Sequence, residues 1–128
     1  MKCCDHPLNP PRIPAIYAYD HDLLTGTIGN RRVFASFCPA NGFPDGLLVD
    51  DDGAIWSTLF AGGAIQRIEP DGRFGQRIEL PVSRPTSCCF SPDRQLLYVT
   101  TARLGLDDGQ LEQEPLAGAL LVVKAAND

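Results

Sequence analysis

The chain has 128 residues, 44% of them hydrophobic and 21% charged, with a net charge of −5, which is one domain's worth of water-compatible composition. The acidic balance, with its arginines scattered, excludes the basic stripe that nucleic-acid binding needs to displace counterions. No apolar run reaches bilayer-crossing length, so neither nucleic acid nor membrane is an expected partner.

In chain order, residues 1–14 are Pro-rich without periodicity and read as an irregular lead-in. The opening Met1-Lys2-Cys3-Cys4-Asp5-His6-Pro7 has no apolar h-region, so the expected setting is cytoplasmic. From residue 15 to residue 128, short β-branched and aromatic runs alternate with Gly, Pro and Asp turns, the pattern of antiparallel strands. The predicted strands are 15–20, 31–37, 47–50, 54–59, 64–69, 74–80, 88–91, 95–101 and 119–124, with no amphipathic helix.

The strands repeat. Leu47-Leu48-Val49, a turn and Ile55-Trp56 recur as Cys88-Cys89-Phe90, a turn and Leu97-Tyr98, about 41–42 residues on. That period fits the ~40–45 residues of a four-stranded propeller blade. Fold class is therefore all-β: antiparallel four-stranded blades, about two and a half of them, where propellers close with ~4–8. An open arc leaves two apolar sheet faces exposed, so self-association is an expected way of covering them.

The residues from Tyr17 to Lys124 resemble the C-terminal part of the senescence-marker protein/gluconolactonase family, which includes regucalcin-like and LRE-like members. The resemblance is carried by Tyr19-Asp20, Thr25-Gly26, Asn30-Arg31-Arg32, Pro44-Asp45-Gly46-Leu47 and Gly53-Ala54-Ile55-Trp56. It continues through Gly62-Gly63, Leu80-Pro81-Val82, Pro85-Thr86-Ser87-Cys88-Cys89-Phe90 and Leu97-Tyr98-Val99-Thr100-Thr101-Ala102-Arg103 to Gly118-Ala119-Leu120. It implies a six-bladed propeller that hydrolyses sugar lactones with one divalent cation, calcium, zinc or manganese, in its channel. Of the family's metal ligands only the Asp of Pro-Asp-Gly maps here, onto Asp45, which the resemblance makes both metal ligand and catalytic acid/base. With the family's Glu and Asn ligands in blades absent here, weak cation binding or none is expected of this chain. The alternative expectation is a truncated, non-catalytic propeller fragment or interaction piece.

The residues themselves leave Asp45 open between a site and a turn, because Pro-Asp-Gly is also a turn tripeptide. The chain holds a control: Pro70-Asp71-Gly72 joins two hairpin strands, so Asp71 is expected to be a solvent-exposed turn residue, whereas Asp45 precedes a blade's innermost strand. Asp50-Asp51-Asp52-Gly53 and Asp107-Asp108-Gly109 lack the later ligands of a calcium loop and read as solvated turns. Cys3-Cys4 and Cys88-Cys89 lack metal or redox spacing and are read as structural thiols. Trp56, Phe90 and Tyr98 are expected in blade packing, and Ser57 as a packing residue. His6 and His21, in the lead-in and a turn, have no Gly-x-Ser-x-Gly nucleophile to serve.

Overall fold

The computed structural model of the protein describes residues 13–125. Its strands form three antiparallel meanders in chain order. The first pairs β1 (Ala15–His21) with β2 (Ile28–Ser36). The second runs β3 (Phe43–Val49), β4 (Ile55–Phe60), β5 (Ala64–Ile68) and β6 (Phe74–Glu79). The third holds β7 (Pro85–Phe90), β8 (Leu96–Thr101) and β9 (Leu121–Lys124). These sheets of two, four and three strands are the half blade, whole blade and partial blade of an open β-propeller arc.

Burial explains why the sheets stack. A strand with one face in water alternates, but β4 does not: Trp56, Ser57, Thr58 and Leu59 are all buried. Its sheet is covered on both sides. Ile16, Ala35, Phe37, Leu59, Ala64 and Ile68 pack between the first and second sheets. Trp56, Ile65, Cys88, Leu97, Val99 and Leu121 pack between the second and third. The Trp56 ring meets Phe90 edge-on at 5.6 Å between centroids, so both act as blade packing. Tyr98 faces away from that core, beside Cys89 in the sheet. Tyr17 and Val33 on the first sheet, with Val122 on the third, leave apolar surface exposed at both ends of the arc.

The structure corrects several boundaries. β2 begins at Ile28, because the loop before it is tightened by Asp22, whose carboxylate accepts the Leu24 and Thr25 amides. His21 accordingly ends β1 rather than lying in a turn. The polar loop after β8 contains a six-residue helix α1 (Asp108–Gln113). No buried residue marks it, so hydrophobic periodicity could not reveal it; a capping box makes it, with Asp107 accepting from the Gln110 amide and Gln110 reaching back. Asp107-Asp108-Gly109 is thus a helix start and not a turn.

Candidate functional site

Asp45 lies inside β3, not ahead of it. Pro44 pairs with Leu59 and Leu47 with Ser57, so Asp45 and Gly46 together oppose Thr58 alone. That two-against-one register is a β-bulge, which bends a strand and re-aims its side chains. The Asp45 side chain is exposed and has no hydrogen bond or ion pair among the described residues. Asp71 behaves differently: it sits exposed in the β5–β6 turn, accepting from the Arg73 amide and paired with the Arg73 guanidinium at 2.7 Å. Those contacts hold its carboxyl below the ordinary value. The two Pro-Asp-Gly tripeptides therefore have different structures.

The glycines show why. Gly72 has φ +88°, the left-handed turn geometry that glycine favours. Gly46 is absent from the positive-φ positions; a Cβ there would fall 2.7 Å from the Ser87 Cα. Gly46 is small so that the first strand of the next blade can press against β3.

The bulge recurs one blade on, where β7 shifts register between Pro85 and Ser87. One buried hydroxyl serves both: Thr58 Oγ1 lies 3.1 Å from the Gly46 carbonyl and 3.0 Å from the Thr86 carbonyl. Its single proton is shared between these two carbonyls at the bulges, or given to one of them at a time. Sequence reading missed Thr58, because a single Thr in a strand carries no signal of a contact 28 residues away. Thr58→Val keeps the shape and removes the donor, so we expect a loss of about 1–3 kcal/mol in urea unfolding. No change would mean that other groups satisfy these carbonyls.

The acidic run at the other end of β3 is not a solvated turn throughout. Asp50 accepts from Trp56 Nε1 at 2.9 Å, from the Ala54 and Asp52 amides, and from Arg67 Nε at 3.0 Å. Burial would raise its carboxyl; the Trp56, Ala54 and Arg67 donors outweigh burial and hold it below the ordinary value. Asp51 and Asp52 are exposed, as expected, and pair with Arg94 and Arg67. Asp50 is a structural corner at the far end of the strand from Asp45.

The residues present do not by themselves fit a closed cation centre. Among the described residues no group of three or more His, Cys, Asp or Glu side chains converges. Asp45 offers one carboxylate where calcium takes about six to eight oxygens. Cys38, at the start of the loop leading to Asp45, is disulfide-bonded. Cys88 and Cys89 are free, and burial pushes the Cys88 thiol up to about 11. Cys3, Cys4 and His6 lie outside the described residues. Ser57 is buried and donates to the Thr58 carbonyl, the packing role expected of it.

Known proteins share this architecture. The family described as SMP-30/Gluconolactonase/LRE-like region matches residues 12–103. Regucalcin of Oryctolagus cuniculus is 39% identical over 111 residues, covering 85% of this chain and 37% of that protein. The solved structure of regucalcin from Agrobacterium tumefaciens, described as a calcium-binding protein, superposes with TM-score 0.79 at 30% identity. That match covers 90% of this chain and 40% of the other. A gluconolactonase from Xanthomonas campestris matches at TM-score 0.55 and 31% identity, over 67% of this chain and 27% of its own. The chain thus spans a little over a third of the length of the curated relatives it matches. Its matched residues include both bulged strands, the Asp45 tripeptide and the blade core between them, and the chain belongs to the SMP-30/gluconolactonase/LRE-like family.

Proposed function

We propose that this chain carries one wall of a site that hydrolyses sugar lactones, with Asp45 as its acid/base. The observation behind the proposal is an unpaired carboxylate on a strand bulge, in a chain of this family. In the proposed reaction water adds to the lactone carbonyl carbon, the ring C–O bond breaks, and the ring oxygen takes up a proton. Asp45 accepts the water's proton and returns it to the ring oxygen, releasing a hydroxy acid. A calcium, zinc or manganese ion would find one ligand in Asp45; the described residues do not complete its shell, and no step is assigned to it.

The test is hydrolysis of glucono-δ-lactone by the purified chain with added calcium or manganese, followed in a pH-stat. Asp45→Asn keeps the shape but not the base, and we expect it to lower the rate by about 100-fold or more. An unchanged rate in Asp45→Asn would overturn the assignment. A second reading, a non-catalytic propeller piece that associates through its open faces, is favoured by exposed Tyr17, Val33, Leu120 and Val122. Absent hydrolysis and absent cation heat in calorimetry, with concentration-dependent association, would support it.

A cytoplasmic setting is part of the proposal, on the strength of the free Cys88 and Cys89 thiols. The Cys38 disulfide argues the other way, since such bonds persist mainly in oxidising compartments. A thiol count on protein trapped with an alkylating agent at lysis decides between them.

A further inference from the structure

We propose that Arg84 is an anion-recognition residue at the Asp45 end of the blades, and that it takes the carboxylate of a sugar acid. Most arginines in the described structure have a carboxylate partner: Arg32, Arg67, Arg73, Arg77 and Arg94 all do. Arg84 has none among the described residues, and its Nε is buried without a hydrogen-bond partner. A guanidinium does not deprotonate at ordinary pH, so it cannot relieve that deficit by losing its charge. A buried donor left unmade is unfavourable, and the deficit is met when an anion arrives.

The side chain is also held in place. Its guanidinium lies over the Phe60 ring, 5.0 Å from the centroid, a cation–π contact. On another side is Gly105, at φ +75°, where an added Cβ would stand 3.5 Å from Arg84 Nη2. Glu114, an acid of the loop after β8, is committed next door: its carboxylate accepts both the Ser83 amide and the Ser83 hydroxyl. A planar fork held against an aromatic ring suits bidentate recognition of a carboxylate.

Its placement ties it to the candidate site. Arg84 directly precedes β7 and Asp45 lies near the start of β3, equivalent ends of the first strands of adjacent blades. Thr58 Oγ1 joins those ends by bonding the Gly46 and Thr86 carbonyls. Opening a lactone creates a carboxylate beside a chain of hydroxyls, so the ligand class, a polyhydroxy acid, rests on the lactonase proposal.

The experiment is calorimetric titration of the purified, metal-free chain with gluconate, with sorbitol as its neutral counterpart and acetate as the bare carboxylate. We expect gluconate to bind more tightly than either. Arg84→Gln should weaken gluconate roughly tenfold or more while leaving sorbitol unchanged. Arg84→Lys, which keeps the charge and loses the fork, should fall between them, and it keeps the test open if Arg84→Gln unfolds. Asp45→Ala should retain gluconate binding, so a failed lactonase assay leaves this result readable. Equal binding of gluconate and sorbitol, equal binding of gluconate and acetate, or an unchanged affinity in Arg84→Gln would overturn the proposal.

Discussion

Asp50→Ala should destabilise the fold by about 3 kcal/mol or more, the scale seen when one partner of a largely buried ion pair is removed. The Asp50 side chain is 13% exposed and that of Arg67 17%, so water cannot replace what is lost. The substitution leaves Trp56 Nε1, the Ala54 amide and Arg67 Nε without their acceptor at once. Trp56 is itself 5% exposed and anchors the core between the second and third sheets. Urea unfolding of Asp50→Ala against the parent measures the effect, and a loss below about 1 kcal/mol would place the corner among weak surface pairs. The same residue sets a pH dependence. Its folded carboxyl titrates below the unfolded value near ~3.9. Its contribution is therefore fully present above that pH and is lost as pH falls through the folded value. In Asp50→Ala the acid limb of the stability curve should flatten.

Gly46→Ala should lower stability by about 1–3 kcal/mol through overpacking, and should displace Asp45 along with its bulge. The new methyl would stand 2.6 Å from Ser87 Cβ and 2.7 Å from Ser87 Cα, and the backbone of β7 cannot rotate away as a side-chain tip can. Relief requires the two first strands to separate, which stretches the Thr58 bonds to Gly46 and Thr86. Gly26→Ala is the informative comparison, since Gly26 has φ +73° with open space around an added Cβ, so its difficulty is the backbone conformation alone. Guanidinium unfolding of both variants, with Ser87→Gly added to Gly46→Ala, checks the mechanism. Rescue by Ser87→Gly should be partial, because the Ser87 backbone remains; a double variant as unstable as Gly46→Ala would show that Ser87's side chain is not part of the clash.

Strand existence was legible from the sequence, because β-branched and aromatic runs bounded by Gly, Pro and Asp have few other outcomes. The blade repeat was legible for the same reason: Leu48–Trp56 and Cys89–Tyr98 are cross-strand partners in both copies. The helix α1 was not, since side-chain caps rather than a buried face make it. Asp50 was misjudged as solvated because a run of three acids looks exposed, while its donors come from Trp56 and Arg67 on two other strands. Arg84 gave no signal, for the lack of a carboxylate partner among the described residues shows only once the blades are stacked.

By itself the sequence determined the all-β class, the blade period and the exposed hairpin turn at Asp71, because local propensity and turn chemistry are written in consecutive residues. The tertiary structure decided what Pro44-Asp45-Gly46 is: a bulged strand whose glycine admits the neighbouring blade. That outcome depends on Ser87 and Thr58, which are distant in the chain and meet Gly46 only when the sheets stack. The physical reason is that a bulge leaves carbonyls outside the ladder, and only a packed fold can bring one buried hydroxyl to two of them.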